Sequence, residues 1–323
     1  MAYHGDNILD GRVSPLDGGP RRLWGPRGFK LSEILSGAAI LARGPSSAPD
    51  PGRASFCSMR PSRWTLRKVP EITAYFWILK VLTTGMGEAT SDYSVRRIDP
   101  YLAVGLGAVA FAAALILQLW VRRYIAWVYW LAVVMVAIFG TMVADALHIQ
   151  LGVPYAVSTV GFAVALTAIF IVWYLTERTL SIHHITTLRR ELFYWATVCA
   201  TFALGTAAGD LTAYTFRLGF LASGILFAVV IAVPALAHRF ARLNAVVAFW
   251  FAYIITRPLG ASFADWMGVP HALGGLNWGR GTVSVSLTIV IACLVGYLSV
   301  SRVDVEEEGD RRPVSSAMVP GSR

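Results

Sequence analysis

Four tryptophans set the frame of this chain. Trp77, Trp130, Trp195 and Trp250 are each preceded by an aromatic residue (Phe76, Tyr129, Tyr194, Phe249). Each is followed ten residues later by a glycine (Gly87, Gly140, Gly205, Gly260) and fifteen residues later by an aspartate (Asp92, Asp145, Asp210, Asp265). A spacing kept without slippage through four copies marks a tandem repeat. Because each copy holds an apolar run, a short polar turn and a second apolar run, the unit reads as a pair of membrane-spanning helices.

The composition agrees: 56% of the 323 residues are hydrophobic and 15% charged, and the mean hydropathy is +0.57. That is too apolar for an ordinary soluble domain. Runs free of charge extend over Tyr101–Val121, Tyr124–Ala144, Leu151–Thr176, Leu192–Gly209, Leu218–Ala237 and Gly281–Ser301, and Ile72–Ser91 and Val246–Ala264 add two runs interrupted by charge. Each approaches the length that spans a hydrocarbon core of about 30 Å at about 1.5 Å per helical residue. The expected fold is an all-α integral membrane protein with eight transmembrane helices from four parallel-topology two-helix repeats, at 68–122, 123–188, 189–243 and 244–301.

Residues 1–67, rich in Gly, Pro, Ser and Arg, break any helical or strand period and read as a disordered tail. Met59, just ahead of the first repeat, is a candidate translation start. Residues 302–323 read as a second disordered tail. The net charge of +9 resides largely in the first tail and in loops on one side of the repeats, which suits a bilayer surface and gives no reason to expect nucleic acid. The three cysteines show no CxxC spacing, so Cys199 and Cys293, within expected spans, read as small packing residues.

Two helices per unit make all four Trp-to-Asp helices point the same way, with repeats related about the membrane normal. Loops at the tryptophan end carry Arg122, Arg123, Arg178, Arg189, Arg190, Arg239 and Arg242; those at the aspartate end carry Arg96, Arg97, Arg217 and Arg280. The positive-inside rule then makes both termini cytoplasmic and puts the aspartates near the outer surface.

Candidate functional residues follow from helical periodicity. Positions 0, 3, 7, 11 and 15 after each tryptophan share one face about 120° wide at about 100° per residue. The first helix presents Trp77, Lys80, Thr84, Glu88 and Asp92 there; Thr141, Thr206 and Arg257 occupy the same face of the others. An ionised group in hydrocarbon costs about 2.5–3.5 kcal/mol even on a lenient scale, so this face turns inward. Five carboxylates then come within reach of two deep cations, Lys80 and Arg257, and the surplus negative charge invites a proton or a cation. The competing reading pairs each aspartate with a loop arginine such as Arg96, Arg97, Arg217 or Arg280. The glycines at position 10 permit close helix approach, Pro258 frees a carbonyl near Ile254 and can kink its helix, and the tryptophans read as interface anchors.

Other chemistries lack their residues. No pair of mid-membrane histidines is available for haem. No zinc-protease, phosphate-loop or nucleophile-elbow motif occurs. His183 and His184 read as part of a solvated loop, with metal sensing as the lesser alternative. No cofactor and no enzymatic activity are expected.

The runs RKVPEITAYFWILKVLTTGMGEATSDY, WYLTERTLSIHHITTLRRELFYW, FALGTAAGDL and LNAVVAFWFAYIITRPLGASFADW resemble a family of bacterial integral membrane proteins. Its members have four tandem copies of a two-helix repeat of unknown function, each with a characteristic tryptophan that Trp77, Trp130, Trp195 and Trp250 match. The resemblance implies a bacterial inner-membrane location and supplies no activity. From the polar stripe, the leading expectation is a transporter or channel for a small hard cation, with proton coupling an open alternative. Oxygens of Asp92, Asp145, Asp210, Asp265, Glu88, Thr84, Thr141 and Thr206 suit Mn²⁺, Mg²⁺ or Ca²⁺, with Lys80 and Arg257 tuning the charge. The alternative is a non-transporting scaffold or sensor whose buried charges fix helix register.

Overall fold

The computed structural model describes residues 68–182 and 185–304. Met59, Cys57, the first tail, residues 305–323 of the second tail, His183 and His184 lie outside the described residues; at the start of the second tail Asp304 is buried and accepts a hydrogen bond from Tyr124. Eight long helices run through the described residues: α1 Ala74–Arg97, α2 Pro100–Trp120, α3 Ala126–Ile149, α4 Tyr155–Glu177, α5 Leu188–Asp210, α6 Gly219–Ala241, α7 Ala245–Gly268 and α8 Arg280–Ser301. A π-turn over Leu211–Thr215 extends α5, and a 3₁₀ turn over His271–Leu273 precedes α8.

Local chemistry sets the boundaries. Pro100 takes the first helical position of α2, where its missing N–H is no loss, and the Asp99 carboxylate accepts the N–H groups of Tyr101 at 3.0 Å and Leu102 at 3.1 Å. Asn244 and Thr187 cap α7 and α5 through their side-chain oxygens. At the other end, α4, α6 and α8 stop at Arg178, Arg242 and Arg302, each left-handed and each a cation beside a helix C-terminus.

The helices divide into two shells. The tryptophan-bearing α1, α3, α5 and α7 form an inner ring in which α1 contacts α3 and α7, and α5 contacts α3 and α7. The outer helices lean forward onto the next repeat: α2 packs chiefly on α3, α4 on α5, α6 on α7, and α8 returns to α1. Burial follows this division. In α3, α5 and α7 about half of the span is buried (50%, 61% and 56%), whereas α2, α4 and α8 bury 17% and leave apolar side chains to lipid. Among the described residues seven helices are long and apolar enough to cross a membrane. The exception is α1, which carries Lys80, Glu88 and Asp92 yet has 24 residues and twelve buried positions. The expected eighth span is therefore as long as the others but owes its polarity to groups turned inward.

Two layers of contacts close the ring with one rule each. In the upper layer the aromatic residue before each tryptophan packs on the tryptophan of the next inner helix: Phe76 on Trp130 at 5.9 Å, Tyr129 on Trp195 at 5.8 Å, Tyr194 on Trp250 at 6.2 Å and Phe249 on Trp77 at 5.8 Å. These tryptophans are buried, which overturns their reading as interface anchors. Each has a flanking ring to cover it, and Trp250 also donates its indole N–H to the Leu180 carbonyl at 3.0 Å. Lower in the bundle, each position-10 glycine meets position 7 of the next helix. A Cβ on Gly87 would lie 2.5 Å from the Ala137 Cβ, on Gly140 2.9 Å from the Phe202 Cβ, on Gly205 2.3 Å from the Arg257 Cγ, and on Gly260 1.9 Å from the Thr84 Oγ1. A head-to-tail contact used four times has closed on itself. Among the cysteines, Cys199 is half-buried, but Cys293 is exposed on the lipid-facing side of α8, contrary to the expected packing role.

The glycine layer makes a direct prediction. Gly87→Ala and Gly260→Ala each force helices apart, at a cost of about 1–3 kcal/mol. Gly105→Ala and Gly161→Ala, on outer helices with nothing within 4 Å, serve as controls. Thermal unfolding in detergent should fall clearly for the first pair and stay unchanged for the second; equal behaviour of the two pairs contradicts the ring packing.

Candidate functional site

At the centre of the ring, one residue from each inner helix converges. Glu88, Thr141 and Thr206 occupy position 11 of α1, α3 and α5, and Arg257 reaches them from position 7 of α7. The Arg257 side chain is fully buried. One Nη donates to Glu88 Oε2 at 2.9 Å, to Thr206 Oγ1 at 2.8 Å and to Thr141 Oγ1. The other Nη donates to the Thr84 carbonyl at 3.1 Å. A single guanidinium thus bonds to all three other inner helices. Position 10 of α5 is glycine because the aliphatic stem of Arg257 occupies the space that a Cβ would need.

The threonine hydroxyls are committed inside the protein. Thr141 Oγ1 donates to the Ala137 carbonyl at 2.9 Å, and Thr206 Oγ1 donates to the Phe202 carbonyl at 3.2 Å, while both accept from Arg257. Thr84 Oγ1 donates to the Val81 carbonyl at 2.6 Å, with the Thr256 carbonyl at 3.2 Å. In this arrangement backbone carbonyls take the hydroxyl protons, and Arg257 bonds to the Thr141 and Thr206 oxygens.

Lys80 departs from expectation. It is fully buried, but among the described residues no carboxylate meets it; its Nζ sits 4.0 Å from the Phe202 ring centroid and 4.1 Å from that of Tyr253. Two aromatic faces substitute for an anion. Above it, the Tyr129 and Tyr194 hydroxyls share a hydrogen bond of 2.5 Å.

The aspartates divide. Asp92 pairs with Arg280 on α8, as the competing reading anticipates. Asp145, Asp210 and Asp265 have no ion pair among the described residues, and each lies within Coulombic reach of Glu88 and of other carboxylates in the set. Asp265 is buried and the others are half-buried. Among the described residues no three His, Cys, Asp or Glu side chains are arranged to hold a metal ion. Beyond Arg257 the inner helices therefore carry three carboxylates without an ion pair among the described residues, not arranged as a chelating cage, with Arg96 and Arg280 within Coulombic reach of Asp145 and Asp265. His148 bonds through Nδ1 to the Val153 carbonyl and stacks on Tyr155, so it organises a turn near Asp145.

A second buried ion pair escapes the stripe rule. Glu191, at the start of α5, takes Lys68 Nζ at 2.5 Å and Gln118 Nε2 at 3.2 Å, joining the segment before α1 to α2 and α5. Its sequence signal is weak, since a Glu in a first helical turn is ordinary.

This arrangement of one repeated helix pair around a charged centre coincides with a family match. The chain matches the Repeat of Unknown Function DUF347 four times, over residues 75–124, 128–179, 193–244 and 248–304. It belongs to that family. Comparison with curated proteins and with solved structures gives no match. The family assignment carries the four-repeat architecture and no activity.

The Arg257–Glu88 pair yields a prediction. Arg257→Gln leaves Glu88 as a lone buried carboxylate and costs about 3–5 kcal/mol. Adding Glu88→Gln removes that charge, so the double variant should unfold at a higher temperature than Arg257→Gln alone. A double variant no more stable than the single one shows that the pair is not the local electrostatic constraint.

Proposed function

We propose that this protein is a multi-pass transporter for a small hard cation, with proton coupling an open alternative. In this reading all eight helices cross a bacterial inner (plasma) membrane as four parallel-topology repeats. Both termini are cytoplasmic and the aspartate end is outside. It acts without a cofactor, is not an enzyme, and has no nucleic acid among its partners. The observation that carries the reading is the set of carboxylates along the inner ring: Asp145, Asp210 and Asp265, with no ion pair among the described residues, lie at one end, beyond the Arg257–Glu88 pair.

The three inner carboxylates raise the local concentration of cations, and the lack of a chelating cage among the described residues favours a partly hydrated ion over a tightly held one. Arg257 then opposes passage twice, by filling the axis with its hydrogen bonds and by its own charge. Movement beyond that level requires Arg257 to leave Glu88, Thr141 and Thr206, exchanging one set of partners for another. A device that must rearrange is a carrier or a gated path, so an open channel is disfavoured. Carboxylate oxygens suit Mn²⁺, Mg²⁺ or Ca²⁺.

The scaffold or sensor reading has its own support. Arg257 ties all four inner helices, and the hydroxyls of Thr84, Thr141 and Thr206 are satisfied within the protein, which is what a register clamp needs. Proteoliposomes loaded with a metal-sensitive dye and supplied with Mn²⁺, Mg²⁺ or Ca²⁺ separate the two. The transporter reading expects flux with the full chain for at least one ion and a loss of tenfold or more with Asp145→Asn/Asp210→Asn/Asp265→Asn, whose thermal unfolding is unchanged or raised. No flux above empty vesicles for any ion, across pH gradients of either sign, would leave the scaffold reading.

A further inference from the structure

The pseudo-fourfold ring makes one irregularity conspicuous. Where α1 ends and α8 begins, a groove of about 850 Å³ is lined by Tyr93, Arg96, Arg97, Asn277, Arg280 and Ser284, among others. Three of the four arginines at the aspartate end gather there. Among the groove's lining residues three are cationic and none is acidic; Asp92 is bound to Arg280, and Asp145 and Asp265 lie within Coulombic reach of Arg96 and Arg280 without pairing with them. The repeat does not require this. Relative to the tryptophans, the counterparts of Arg96 and Arg97 are Ile149 and Gln150, Tyr214 and Thr215, and Val269 and Pro270; the counterparts of Arg280 at the start of the other outer helices are Pro100, Tyr155 and Gly219.

We infer that this groove binds the phosphate headgroup of an anionic phospholipid. The donors are arranged for it. The Arg97 guanidinium lies 5.3 Å from the centroid of the Tyr93 ring. That ring rests on Gly281, where a Cβ would come within 2.8 Å of it, so glycine is needed to seat the platform. Arg280 gives Nε to Asp92, and its Nη groups have no hydrogen-bond partner among the described residues. The N-cap of α8 is Gly279, which has no side chain to cover the first-turn N–H groups, so those donors also face an incoming anion. Planar guanidinium forks fit phosphate oxygens.

The source of the phosphate is a lipid because of what lies beside the groove. Val285 lines it, and Val285 and Ile289 are exposed one helical turn apart on α8, at 59% and 58%. A headgroup in the groove therefore has its acyl chains continuing along an apolar surface that already faces hydrocarbon. A free phosphate makes no use of that surface. The inference is independent of whether the protein transports a cation.

Native mass spectrometry of the full chain, delipidated in detergent and titrated with phosphatidylglycerol, phosphatidylethanolamine or inorganic phosphate, tests it. Arg96 and Arg97 are exposed at a helix end, so Arg96→Gln/Arg97→Gln should fold with unchanged thermal unfolding. Arg217→Gln, an exposed arginine at the same end, is the control. The expected result is at least one phosphatidylglycerol retained at tenfold or more higher affinity than phosphatidylethanolamine. That preference should be lost in Arg96→Gln/Arg97→Gln and kept in Arg217→Gln. Equal retention of the two lipids, equal loss in the control, or competition by inorganic phosphate as effective as by lipid overturns the assignment.

Discussion

The buried guanidinium of Arg257 is the constraint to which the rest of the inner ring conforms. A cation enclosed in a membrane bundle needs an anion and enough acceptors for its N–H groups, and both must come from neighbouring helices because its own helix uses its carbonyls internally. Glu88, Thr141, Thr206 and the Thr84 carbonyl supply them. Such a set is satisfied only if α1, α3, α5 and α7 stand at one relative height. A slip of one helix by a turn removes its acceptor and leaves charge uncompensated. The glycine at position 205 belongs to the same constraint, because the stem of Arg257 fills the space beside it.

The closed ring explains why the repeats cannot be treated as four separate hairpins. Each outer helix packs chiefly on the inner helix of the following repeat, and α8 completes the circle on α1. A single hairpin therefore leaves both of its helices without their main partners. Closure also fixes the number of units, since a head-to-tail contact repeated at one angle must meet itself. Within that frame the four units have diverged. One carries a lysine between two aromatic rings, one carries the arginine, two carry threonines that bond it, and one end of α1 together with the start of α8 gathers a basic groove. Divergence on a symmetric scaffold concentrates function at particular seams, because packing demands the same small residues everywhere while polar groups remain free to differ.

The site was partly legible in the sequence. The inward stripe of Lys80, Thr84, Glu88, Thr141, Thr206 and Arg257 follows from 100° periodicity and the cost of charge in lipid, and the buried positions agree with it. The partners did not follow. Lys80 and Glu88 share a face of α1 at positions 3 and 11, yet one meets aromatic rings and the other a guanidinium. Periodicity states which way a side chain points and leaves open which residue of another helix stands opposite. The tryptophans show the same limit. Their place near a span end suggested the interface, but rings at the preceding positions enclose them in the bundle.

By itself, the sequence determined the eight helices, their grouping in four pairs, the inward face of each inner helix and the glycines at which helices approach. These are local or periodic properties, set by hydrophobicity, capping and the tolerance for a missing Cβ, and they survive without knowledge of neighbours. Only the tertiary structure decided the cyclic order of the inner helices, the forward lean of each outer helix, the choice of Glu88 over the four aspartates as the partner of Arg257, and the gathering of Arg96, Arg97 and Arg280 in one groove. These depend on distances between residues far apart in the chain, and such distances are fixed when the ring closes.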